Sequence, residues 1–144
     1  MKVTATVDCS TAIYATGDLM GAPFTLAGVR FPGCNHPILQ SVLVQDTSTL
    51  ATNIDVFICD ASMASTTSVD NGAMVVPDAL LGNIVGCVSI TTFYQFDDNC
   101  VGQANALSMA CSPLGSNDLY GFVVARAART ADDDLTLTFN FIAG

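Results

Sequence analysis

Residues 38–60 constrain this chain more than any other stretch, because they hold two segments that suit only extended backbone. Residues 38–46 read Ile-Leu-Gln-Ser-Val-Leu-Val-Gln-Asp, and residues 54–60 read Ile-Asp-Val-Phe-Ile-Cys-Asp. β-Branched and aliphatic side chains dominate both, and each ends on an Asp, a residue depleted from strands. In the second segment Ile54, Val56 and Ile58 form a wholly apolar face, while Asp55, Phe57 and Cys59 form a mixed one. A strand with apolar residues on both sides is covered on both sides, which places it in the middle of a β-sandwich.

The rest of the composition agrees. All 13 acidic residues are Asp, and only four residues are basic. Asp favours turns and caps, and without Glu, Lys and Arg there is little to cover an exposed helix face. At 144 residues the chain reads as a single domain, 1–144; a domain of that size buries roughly 68–70% of its unfolded surface.

Along the chain, Val3, Ala5 and Val7 alternate with polar residues as in a one-sided edge strand. A strand is expected near Tyr14, a turn at Gly17-Asp18, an irregular exit through Gly21 and Pro23, and a new strand over 24–29. The two prolines of 31–37 mark a loop. Residues 61–71 are rich in Ser, Thr and small side chains and read as an exposed loop carrying partner contacts, with Ser65, Thr66 and Thr67 at its centre. Residues 77–82, Pro-Asp-Ala-Leu-Leu-Gly, suit one helical turn. Strands are expected over 84–91, weakly over 107–110, and over 119–125, the last apolar on both faces; 95–99 reads as a polar loop. Leu135, Leu137, Phe139 and Phe141 alternate with Thr136, Thr138 and Asn140, placing four large residues in the core from one face. The expectation is all-β: a two-sheet antiparallel sandwich of eight or nine strands with at most one short helical turn, a count that a jelly roll fits.

The net charge of −9, with Lys2, Arg30, Arg126 and Arg129 as the only cations, leaves no cluster able to neutralise a phosphate backbone and opposes docking on an anionic membrane. No nucleic acid and no membrane is the expectation. The first residues alternate like a strand and lack the apolar core of a secretory leader, so a reducing cytosol is expected for synthesis. Of the six cysteines, Cys59 and Cys87 lie in strand patterns and are expected as small buried hydrophobes, while a bridge involving Cys9 or Cys34 stays open.

No Gly-x-Ser-x-Gly elbow, Gly-rich phosphate loop or His-Glu-x-x-His occurs, and His36 is the sole histidine. The reading is no enzyme, no catalytic residue, no cofactor and no metal site. Asp132-Asp133-Asp134 and Asp97-Asp98-Asn99 read as hydrated turns; the absence of Trp weighs against a sugar cleft built on paired Asp. Arg126 and Arg129, half of the cations, are candidate anchors for an acidic partner surface or the two sides of an intersubunit ion pair, with ordinary surface arginines as the alternative.

Several patterns together resemble a group of small proteins encoded near the capsid genes of tailed bacteriophages. They are Tyr-Ala-Thr-Gly-Asp-Leu-Met-Gly at 14–21, Ile-Leu-Gln-Ser-Val at 38–42 and the segment 54–60. Asp70-Asn71, Pro77-Asp78-Ala79, Leu119-Tyr120-Gly121 and Asp134-Leu135-Thr136-Leu137 follow in the same order. Cys59 and Cys87 stand where Phe or Val is expected. The resemblance implies a virion structural protein, a decoration or cement protein on the capsid exterior, made in the host cytoplasm. Its partners would be the major capsid protein and itself, as a homotrimer. The competing class is a receptor- or glycan-binding sandwich on a phage fibre or vertex. That class predicts aromatics exposed together at one end, for which Tyr14, Tyr94 and Tyr120 are the amphipathic candidates.

Overall fold

The structure, a computed structural model, describes residues 1–10, 13–48, 51–63, 68–130 and 134–144. In chain order the elements are β1 (Lys2–Val7), β2 (Ile13–Tyr14), β3 (Leu19–Leu26), β4 (Pro37–Asp46), β5 (Ile54–Cys59), α1 (Asp78–Leu81), β6 (Ile84–Ile90) and β7 (Phe93–Gln95). They continue as β8 (Cys100–Ala104), β9 (Met109–Ala110), β10 (Leu119–Ala125), β11 (Arg129–Thr130) and β12 (Leu135–Ala143).

One sheet runs β1-β12-β4-β8-β7, with β9 also paired to β4; a second runs β3-β10-β5-β6, and β2 and β11 form a short ribbon. Every pairing is antiparallel. Successive partners nest around one turning point: β5 pairs with β6, β4 with β8, β3 with β10, and β1 with β12. The chain is thus one long hairpin rolled so that its strand pairs fall alternately in the two sheets, the topology of a jelly roll.

The core lies between the sheets. Leu135, Leu137, Phe139 and Phe141 of β12 enter it as their alternation requires, each at most 1% exposed, and burial of such side chains is worth about 1.5–3 kcal/mol apiece. Ile54, Val56 and Ile58 meet them from β5, and Phe24 of the second sheet packs on Phe139 with ring centroids 5.8 Å apart. The other face of the second sheet is also covered: Leu19, Cys59, Phe122 and Val124 form a separate cluster with Met63, joined by Met74, Val76 and Leu80. Central β5 and β10 therefore bury both faces, as their sequences predict. β1 lies at the edge of the first sheet with Thr4 and Thr6 exposed.

Two local expectations are corrected. β3 does not break at Gly21 and Pro23. It runs through them in a bulge, where the register passes from Gly121↔Phe24 to Val123↔Met20. β3 is an edge strand, so a residue without an N–H is tolerated in the bulge. Gly21 has φ +65°, and a Cβ there would meet the Asp8 carbonyl at 2.8 Å. β7 and β8 were hidden within and beside the expected polar loop at 95–99; the loop is only the hairpin turn between them, closed by Phe96 N–H donating to Asn99 O at 2.8 Å. Gly102 obscures β8 in the sequence, yet the Phe93 ring approaches to 2.5 Å of where its Cβ would sit.

Candidate interaction face

The outer face of the second sheet is organised by cross-strand pairing. Phe57 of β5 lies opposite Phe122 of β10, and the rings stack with centroids 4.7 Å apart and planes 9° from parallel. Asp55 lies opposite Val124 two pairs further along, on the same face, and Ser89 opposite Asp55 on β6. The connection from β5 to β6 folds back over these residues. Leu19 N–H donates to Gly72 O, Asn71 N–H to Leu19 O and Met74 N–H to Gly17 O, at 2.8–3.0 Å, so this connection runs along the start of β3 almost as another strand.

Asp70 fixes that connection. Its Oδ1 accepts from Tyr14 Oη and Gly21 N–H, both at 2.6 Å, and its Oδ2 from Ser10 N–H at 3.0 Å. Burial pushes the Asp70 carboxyl up, but the hydrogen bonds from Tyr14, Ser10 and Gly21 outweigh it and hold the group below its ordinary value. Burial and the Asp70 carboxylate push the Tyr14 phenol up to about 12. The described residues of 61–71 thus depart from the simple exposed loop expected from composition. Met63 is 1% exposed and Asp70 is a structural hub, whereas Val69 is 70% exposed. Ser65, Thr66 and Thr67 lie outside the described residues.

Among the described residues the cover leaves a cavity of about 340 Å³. Phe57, Phe122, Val124, Met74, Val76, Leu81 and Ile84 line it with apolar surface, and Gly17 and Arg126 complete it. Its volume is at the lower end of ligand-binding clefts, roughly 300–1,000 Å³. Arg126 is the single charged residue in the lining. Its Nε sits 2.9 Å from Asp55 Oδ2, with Arg126 56% and Asp55 8% exposed at the side chain. Asp55 Oδ1 accepts from Ser89 Oγ at 2.6 Å. A guanidinium carries five N–H donors; here one meets Asp55, and its outer edge faces solvent.

Arg129 behaves differently from the expectation of a partner anchor or surface arginine. Its side chain is 1% exposed and its Nη2 donates to Asp46 Oδ2 at 2.9 Å, Asp46 being 0% exposed. Asp46 Oδ1 in turn accepts from Ser48 N–H and Oγ. The β2–β11 ribbon carries Arg129 opposite Tyr14, inside the fold, so Arg129 is a core ion pair and Arg126 alone of the two reaches the surface. Two features of this site escaped sequence reasoning. Asp55, in the midst of an apolar strand, was the signal that a cation must lie beside it; the Phe57–Phe122 stack depends on register that sequence does not disclose.

All six cysteines are free. Cys59 is buried as expected, its thiol pushed up to about 12 by burial and the nearby Asp60. Cys87 is exposed, against expectation, because β6 is the outer strand of its sheet. His36 is exposed and its Nδ1 lies 2.8 Å from Ser112 Oγ. Asp132 and Asp133 lie outside the described residues; among the described residues no three metal-ligating side chains cluster and no helix is long and apolar enough to cross a membrane. The chain matches no protein-family model and no curated protein sequence.

Proposed function

We propose that this chain is a structural virion protein of a tailed bacteriophage, a decoration or cement protein that binds the major capsid protein on the capsid exterior and stabilises contacts between capsomers. In this reading it is made in the host cytoplasm, self-associates as a homotrimer, uses no cofactor and performs no catalysis. The observation that carries the proposal is the unfilled apolar face beside β10, a cavity with Arg126 among its lining residues, on a jelly roll with large apolar side chains left outside. Ile13, Val69, Tyr94, Phe96 and Leu114 are each 58–70% exposed, a surface suited to being covered in an assembly. The resemblance of the sequence patterns to those of capsid-proximal phage proteins is the second ground for this reading. Shell stabilisation needs only preferential binding to the mature lattice. The free edge of β1 is a second surface available to the shell.

One observation favours the competing class, a receptor- or glycan-binding module of a fibre or vertex: Tyr94 and Phe96 are exposed two residues apart on one hairpin. Tyr14 and Tyr120 do not add to that pair, Tyr14 being fully buried and Tyr120 packed against the cluster beneath the covering connection. Quantitative mass spectrometry of purified particles separates the two. A ratio near one copy per shell subunit is expected for lattice-wide decoration, a handful of copies per particle supports the fibre or vertex role, and absence from particles refutes both.

A further inference from the structure

The exposed β7–β8 hairpin and the cavity on the opposite sheet have matching chemistry. At the hairpin turn Phe96 is 61% exposed, preceded by Tyr94 at 58%, and two exposed carboxylates, Asp97 and Asp98, follow directly. The cavity offers the complement: apolar walls of Phe57, Phe122 and Val124, and the solvent-facing edge of Arg126 for a carboxylate. Arg pairs with a carboxylate through two parallel N–H donors, so an aromatic ring followed by an Asp suits this cavity better than a purely apolar segment.

We infer that the hairpin turn of one copy, Phe96 with Asp97 and Asp98, seats in the cavity of a second copy of this chain. The hairpin belongs to the first sheet and the cavity to the outer face of the second, and they share no residue. Each copy therefore presents both halves at once, and the contact runs head to tail. A heterologous contact of this kind closes into a ring when its rotation permits. The inference rests on the proposed function only for the expectation of self-association, and it gives that expectation a named interface.

Native mass spectrometry and light scattering on the isolated protein test it. Wild type is expected to be a closed oligomer, three copies in the proposed reading. Phe96→Ser, at the exposed turn, removes the inserted ring, and Leu81→Asp, at a cavity residue 52% exposed, sets a carboxylate against the incoming one. Each variant alone is expected to be monomeric. Mixed, they retain one intact hairpin and one intact cavity between them, so a heterodimer that cannot grow is expected. A monomeric wild type, an oligomer indifferent to Phe96→Ser, or a mixture that stays monomeric overturns the inference. Shell binding is not read in this assay, so its failure leaves capsid attachment standing.

Discussion

Replacing Arg129 with Met is the sharpest test of the interior. The change keeps an unbranched side chain but leaves Asp46 Oδ2 without the donor now 2.9 Å away, at a site where neither side chain is more than 1% exposed. Asp46 Oδ1 keeps Ser48 N–H and Oγ, so half of the carboxylate stays satisfied. Removing one partner of a buried pair costs about 3–5 kcal/mol, because the other charge stays buried. The expected loss of about 3–5 kcal/mol is a large share of the 5–15 kcal/mol typical of a domain. In urea titrations followed by circular dichroism, with a slope near 2 kcal/mol/M, the midpoint falls by about 1.5–2.5 M. Pairing Arg129→Met with Asp46→Leu removes both charges and is expected to be less damaging than Arg129→Met alone. A loss under about 1 kcal/mol refutes the buried pair and returns Arg129 to the surface.

Asp70→Asn tests the hub that fixes the cover. The Asp70 carboxyl is held below its ordinary value in the fold, so its contribution is fully present above about pH 4 and is lost as pH falls through the native value. The stability gap between wild type and Asp70→Asn, from urea titrations at pH 7, 4 and 3, is expected to close toward pH 3; a gap constant with pH contradicts this. Cys87 is the one cysteine on the exposed surface, its thiol pushed up to about 11 by partial burial and by the Asp55 carboxylate. A bulky maleimide at neutral pH is expected to label the folded protein slowly and at Cys87, as Cys87→Ser would show by losing the adduct; equal labelling of Cys34 or Cys59 disproves the packing.

The fold was legible wherever one face of a strand decides its place. β12 and β1 have strict alternation, and β5 and β10 are apolar on both sides, so the core-facing side chains of the first pair and the double cover of the second could be assigned from residue type alone. β7 and β8 were missed because three- and five-residue strands around Gly102 carry too few side chains to show a period. The site was less legible, since its parts come from distant segments. Asp70 meets Tyr14 across 56 positions and Arg129 meets Asp46 across 83. A guanidinium looks the same in a sequence whether a ribbon turns it inward, as with Arg129, or leaves it out, as with Arg126. Likewise residues 61–71 have the composition of a loop, and nothing in side-chain type separates Met63, which tucks in, from Val69, which stays out.

The position of β12 between β1 and β4 has a consequence for synthesis. It is the last strand of this sequence to leave the ribosome, and both strands it joins precede it. β4 has been made roughly a hundred residues earlier, so at about 5–20 residues per second it waits roughly 5–20 s for its partner, and β1 waits longer. During that interval two facing backbone edges are open, spaced to accept a strand from another nascent chain. Slowing initiation, which spaces ribosomes apart on the message, should therefore raise the yield of correctly closed first sheets more than lowering the final protein concentration does.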